Sequence, residues 1–148
     1  MKSDYSLRPA RKDEGVALYT IHRAAMESYV EQTWGAWDDA WQRTYFEQHW
    51  PDVRLAIESG GELAGFLDLD EQGASIHIVN IELRPEAQRK GIGSAILRAI
   101  QQRAELRGMP VTLQVLKVNP ARALYERLGF EHTGETETHH QMAWEART

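Results

Sequence analysis

The residues with the clearest chemical potential form one short run, Gln88-Arg89-Lys90-Gly91-Ile92-Gly93. It lies between a β-branched apolar segment ending at Leu83 and a strongly periodic helical one. Two glycines one residue apart let backbone approach a ligand closely, and the orphan N–H groups of a helix start then point outward. Such an end attracts phosphate through hydrogen bonds and dipole together. Each charge–dipole contact is worth only ~0.3–1 kcal/mol at a surface, so several must cooperate, with Arg89 and Lys90 as cationic donors beside them. A dinucleotide fingerprint would need a third glycine at position 96, which is Ile96. No P-loop Gly-Lys-Ser/Thr follows either. The bland alternative is a surface loop before a helix. A second run, Glu31 to Asp39, sets Trp34 and Trp37 among Glu31, Asp38 and Asp39. Aromatic faces beside carboxylates suit a cationic amine, although tryptophan is equally a packing residue. The six histidines show no metal-ligand spacing. His139 and His140 are adjacent and would point to opposite faces of a strand. With no Cys and no His-Glu-x-x-His, no metal is expected. No Gly-x-Ser-x-Gly elbow supports serine hydrolysis.

These runs need elements to hold them, and the sequence supplies an alternation of strands and helices. Tyr5–Pro9 reads as a first strand. Asp13 can cap a helix whose face is Leu18, Ile21, Ala25 and Tyr29. A second helix is expected from Asp38 or Asp39 to about His49, ended by Pro51. Val53–Glu58 and Leu63–Leu69 form a hairpin about Ser59-Gly60-Gly61-Glu62, and Ile76–Leu83 follows as a long strand. A helix from Gly91 to about Arg107 carries the stripe Ile92, Ala95, Ile96, Ala99 and Ile100. After the strand Val111–Leu116, Asn119 caps a short helix with Pro120 at its first position. Phe130–Gly134 and His139–Trp144 close the chain, the last polar enough to lie near an edge. This is an α/β fold with a mixed sheet of about six or seven strands and about four helices, with Ile76 to Leu116 as a parallel crossover.

Composition agrees. The chain has 148 residues, 42% hydrophobic and 26% charged, which suits one globular domain over 1–148. The formal charge of −5 leaves no basic footprint for nucleic acid or an anionic membrane. No stretch approaches the length of a membrane span, and Met1–Leu7 has no apolar run, so no signal peptide is expected. The expected setting is soluble and cytoplasmic.

The run before the long helix is joined by a second, Asn119-Pro120-Ala121-Arg122-Ala123-Leu124-Tyr125-Glu126-Arg127-Leu128-Gly129-Phe130. The pair resembles the GNAT superfamily of N-acetyltransferases, whose pattern is Gln/Arg-x-x-Gly-x-Gly/Ala opening a helix and then Asn…Leu-Tyr-x-x-x-Gly-Phe. The resemblance is close from Ile76 to Phe130. It implies acetyl-coenzyme A as donor, its pyrophosphate on the amides from Gln88 through Ser94, Ile92 included. The pantetheine arm would run beside the strand ending at Leu83, where that strand and Val111–Leu116 splay apart. Asn119 and Arg122 would contact the donor, and Tyr125 would sit near the thioester sulfur as a proton donor. The acceptor would be a primary amine, on a small molecule or a protein. An amine of pKa ~10.4 is only about 0.04% neutral at pH 7, a cost of about 4.6 kcal/mol. A general base is therefore wanted, and the candidates are Glu82, His77 and His22. Some members carry a glutamate at the position matching Gln114, which cannot serve as a base. The resemblance sets Trp34, Trp37, His22 and His139 about the acceptor. A noncatalytic acyl-coenzyme A sensor is the alternative, and a homodimer is compatible with either.

Overall fold

Alternating apolar residues in the strands and a 3.6-residue stripe in the helices divide the chain as Ser6–Pro9 (β1), Gly15–Trp34 (α1), Asp39–Gln48 (α2), Val53–Ser59 (β2), Glu62–Asp70 (β3), Ile76–Leu83 (β4), Ile92–Arg107 (α3), Val111–Leu116 (β5), Ala121–Arg127 (α4), Glu131–Glu135 (β6) and His139–Trp144 (β7). The computed structural model describes residues 4–147. Met1–Ser3, on which part of the signal-peptide expectation rests, lie outside the described residues. Among those described, no helix is long and apolar enough to cross a membrane.

The seven strands form one sheet in the order β1-β2-β3-β4-β5-β7-β6. Every pairing is antiparallel except β4 with β5, which the α3 crossover makes parallel. The fold is thus the expected mixed α/β architecture. Ile96, Leu97, Ile100 and Ala104 of α3 share one buried core with Leu67, Ile78, Val111 and Leu113 of the sheet. Leu18, Tyr19 and Ile21 of α1 and Phe46 of α2 form a second with Phe66 of β3.

Some local expectations are corrected. Asp13 does not cap α1: it pairs with Arg11 in a 3-10 turn, Lys12–Glu14. Glu14 accepts instead, from the Arg11 amide and from Arg8. Ala99 is exposed, and Leu97 and Ala104 complete the buried face of α3. The last strand does lie near an edge, one place in from β6. Pro120, not Asn119, is the N-cap of α4, and Asn119 stands one residue ahead with its Oδ1 accepting from the Ala121 amide at 2.9 Å.

Two features of β4 set the direction of its second half. Asp68 pairs with Asn80 but Leu69 pairs with Ile78, so Val79 is one residue extra. Such a bulge turns every later side chain to the opposite face. Ile76 and Ile78, before it, join the core that contains α3. Asn80 and Glu82, after it, bond to Asp68 and to His22 of α1. In addition, β4 pairs with β5 only over Ile76–Ile78, opposite Val111–Leu113. Beyond that point the two strands part.

Candidate active site

The parted strands open two connected spaces. One is a groove of about 410 Å³ between the start of α3 and α4, lined by Gln88, Arg89, Gly91, Gly93 and Ser94 and faced by residues of Asn119–Tyr125. The loop entering α3 turns through left-handed backbone at Arg89 (φ 63°) and Gly91 (φ 84°), a conformation glycine adopts without steric cost. Gly93 has another reason for being glycine. A Cβ built there meets no protein atom within 4 Å, although Gly93 lines the groove. No protein atom would obstruct a side chain at that position, and one would occupy the space a ligand's phosphates need. The helix start and the empty space beside Gly93 therefore fit a phosphate-bearing donor. Gln88 donates from Nε2 to the Leu83 carbonyl at 2.9 Å, tying the loop to the end of β4.

The other space is a cavity of about 840 Å³ reaching from α1 and α2 across the sheet to β5 and β7. Ile81, Glu82, Asn119 and Tyr125 border both spaces, so the two meet where β4 and β5 separate. At this junction Glu82 Oε1 lies 2.6 Å from His22 Nδ1. The Glu82 side chain is only 5% exposed and that of His22 19%. Burial raises the Glu82 pKa, while the bond to His22 works against that rise. The His22 ring stacks on Phe46 at 5.2 Å and stands 5.6 Å from Trp37. Tyr125 packs edge-on against Phe130 at 5.8 Å. Burial, with the Glu82 charge nearby, pushes its pKa up to about 12. Gly65 lies behind this pair. Its absent Cβ would fall 2.0 Å from the Glu82 carbonyl oxygen, so β3 can approach β4 here only as glycine.

The structure brings Glu82 and His22, read as rival bases, into one pair. His77 also lines the cavity, but its Nδ1 is engaged with Thr112 Oγ1 at 2.8 Å. Gln114 lines it too. Trp34 and His139 meet at the rim, rings 6.4 Å apart, and burial lowers the His139 pKa. Trp37 is a correction: it is absent from the cavity lining and packs against the cluster of Leu18, Tyr19, Ile21, Phe46 and Phe66, its indole N–H donating to Tyr19 Oη at 3.2 Å. Asp39 follows it, accepting from Tyr19 at 2.6 Å, a bond that holds its carboxyl down at about 2. Leu83, Gln88, Arg89, Gly91, Gly93, Ser94 and Asn119 line the groove. Three other expected donor contacts do not line it with their side chains. Ile92 is buried in the core, and Lys90 is exposed on the loop. Arg122 faces His140 Nε2 at 3.0 Å, because it lies on the side of α4 turned toward β7.

Two sets of residues escaped the sequence reading. Met26 of α1 borders both spaces. Trp41, Tyr45 and His49 line the cavity from α2, and their i, i+4, i+8 spacing was the available signal. Another bulge, at Thr133, lies where His132, Glu135 and His140 come together. Arg122 and Lys117 already bond to two of them.

Comparison with known proteins agrees with this geometry. The family model described as the acetyltransferase (GNAT) family matches residues 17–130. The L-methionine sulfoximine/L-methionine sulfone acetyltransferase of Pseudomonas aeruginosa is 27% identical over 142 residues, covering 84% of this chain and 81% of that protein. The mycothiol acetyltransferase of Clavibacter michiganensis is 34% identical over 135 residues, 88% of this chain. N-acetyltransferase family 8 member 3 of Rattus norvegicus is 32% identical over 101 residues, 63% of this chain. The matches span 44% of the length of each of these last two relatives. In fold, the chain superposes on the paia N-acetyltransferase from Thermoplasma acidophilum in complex with coenzyme A with a TM-score of 0.74 at 16% identity, covering 97% of this chain and 99% of that one. The ribosomal-protein-S18-alanine N-acetyltransferase from Escherichia coli gives 0.71 at 22%, covering 96% and 94%.

Proposed function

The chain belongs to the GNAT acetyltransferase family, and on that premise we propose that it transfers an acetyl group from acetyl-coenzyme A directly to the amine of a small molecule or protein. The observation that carries the proposal is the junction itself: Tyr125, Glu82 and Asn119 border both the groove and the cavity. Donor and acceptor entering from opposite sides would meet there without a covalent enzyme intermediate. Acetyl-coenzyme A supplies the acetyl group as a thioester. The amides from Gln88 through Ser94 hold its phosphates, and the free side of β4 takes the arm as an added strand would.

On the acceptor side, Glu82 fixes the His22 ring through Nδ1, which leaves Nε2 to accept the proton that the attacking amine must lose. Glu82 then stabilises the imidazolium. A positioned base supplies a factor of about 10²–10⁴, the order that the amine's protonation requires. On the donor side, a phenol raised to about 12 keeps its proton at neutral pH. Tyr125 can therefore donate to the sulfur as the carbon–sulfur bond breaks and the carbon–nitrogen bond forms.

Two variants test the reading, with released coenzyme A as the readout across an amine panel. Gly93→Val should fold, since a Cβ meets nothing there, and should lose most acetyl-coenzyme A affinity. Tyr125→Phe should lower kcat about 100-fold while moving donor affinity little. Unchanged donor binding in folded Gly93→Val would refute the phosphate assignment. Donor binding without coenzyme A release from any amine would mark a noncatalytic acyl-coenzyme A module instead.

A further inference from the structure

The acceptor cavity has an uneven wall. Along α2, Trp41 and Tyr45 stack with ring centroids 5.1 Å apart and 21° between planes. Tyr45 and His49 continue the stack at 3.9 Å and 16°. Nδ1–H of His49 donates to the Tyr45 carbonyl at 2.9 Å, which fixes that end. Trp34 stands on the same cavity. Trp34, Trp41 and Tyr45 are 59%, 57% and 48% exposed. Among the described residues they are the only Trp, Tyr or Phe side chains in the exposed range, and all three line this one space. Flat apolar surface left in water favours a ligand that covers it.

Most of the charge lining the cavity is already paired. Its carboxylates are Asp38, Asp68 and Glu82. Asp68 accepts two bonds from Arg54, each 2.8 Å, and one from Asn80 at 2.9 Å. Glu82 holds His22, and Asp38 caps α2 by accepting from the Trp41 amide at 3.1 Å. A polyamine would bring several charges and find only Asp38, one of whose oxygens the helix cap already uses, for the additional ones. Arg54 is the one Arg or Lys among the lining residues, and its side chain is 3% exposed and bound to Asp68. An α-amino acid would thus meet no exposed guanidinium or ammonium for its carboxylate, the one unbonded nitrogen of Arg54, Nη1, being buried. What remains is a single amine at the His22–Glu82 pair and a flat body against α2.

We propose that the acceptor is a monoamine carried on a planar aromatic body, an arylalkylamine, whose ring lies against the Trp41–Tyr45–His49 stack. This rests on the acetyl-transfer reading above and names its substrate class. Aromatic rings in face or edge contact gain roughly 2- to 13-fold in binding per pair.

The test compares 2-phenylethylamine, propylamine, spermidine and leucine as acceptors for the wild type, Trp41→Ala and Tyr45→Ala. Circular dichroism and a melting curve establish that both variants fold, as their exposed positions lead one to expect. The wild type should give its highest kcat/KM with 2-phenylethylamine. Each variant should lower the ratio of kcat/KM for 2-phenylethylamine over propylamine by about 3- to 10-fold. A preference for spermidine or leucine, or an unchanged ratio in the folded variants, overturns the assignment. Calorimetry with 2-phenylethylamine separates this failure from that of the reading beneath it. Binding that weakens in Trp41→Ala, with no coenzyme A released from any amine, overturns acetyl transfer and leaves the ring site standing. Propylamine turnover with no 2-phenylethylamine binding does the reverse.

Discussion

Glu82 holds a carboxylate where a charge is costly. Burial raises its pKa despite the His22 ring 2.6 Å away. A raised carboxyl pKa means the folded chain binds a proton that the unfolded chain has already lost. Across the window between the ordinary carboxylate value and the raised one, stability therefore falls as pH rises. Activity should move the opposite way, because the charged form steadies the imidazolium. We expect kcat/KM to climb through that window while the melting temperature declines. Glu82→Gln should flatten both curves and lower kcat at least 100-fold. Parallel pH profiles of rate and melting for the two proteins check this. Tyr125 and the loop from Gln88 to Ser94 were legible as site residues because their pattern is local. The His22–Glu82 pair was not, since it joins residues 60 positions apart. Trp37 misled because composition cannot tell an indole that donates inward to Tyr19 from one that faces a cavity.

Among the elements, β4 has the most consequential departure from regularity. Its bounds, Ile76–Leu83, were legible from the β-branched run, as were α3 and the hairpin. Its bulge was not: Ile-His-Ile-Val-Asn-Ile-Glu-Leu reads as a plain run of strand residues, and an extra residue shows only against the partner strand. Yet Val79 decides which side chains reach the cavity. Inserting one alanine after Val79 would shift the parity beyond it, turning Asn80 and Glu82 toward the apolar core that contains α3 and Ile81 and Leu83 toward α1. The insertion should abolish turnover and lower stability by several kcal/mol, since an unpaired carboxylate would enter that core. Val79→Ala, which keeps the count of residues, should retain most activity and come within about 1 kcal/mol of the wild type, because Val79 is exposed. Chemical denaturation and an acetyl-transfer assay on the two variants distinguish residue number from side chain. The strand order around β4 was legible only in part. The polarity of His139–Trp144 points near an edge, and the strand lies there, but that polarity does not tell that β6, with its exposed Glu131 and His132, takes the outermost place.

At the scale of the whole molecule, the sheet is two leaves, β1–β4 and β5–β7–β6, sewn together by three residue pairs at Ile76–Ile78. The seam is open beyond them, and the β4 backbone facing it has no strand partner there. Free protein should breathe along this line before it unfolds elsewhere, because locally unpaired backbone has the lowest opening energies. A donor bound in the gap, as proposed, would act as a stitch. At 100 times its Kd it adds about 2.7 kcal/mol, or roughly 5–11 °C in melting temperature for a chain of this size. Hydrogen–deuterium exchange should locate that gain at Val79–Leu83 and Val115–Leu116, with the β2–β3 hairpin unchanged. Uniform slowing across all strands would mean the donor tightens the molecule as a whole rather than closing its seam. A molecule sewn in this way carries its own gauge of supply: when donor runs low the seam loosens, and proteases gain an entry at the place where the enzyme has lost its substrate.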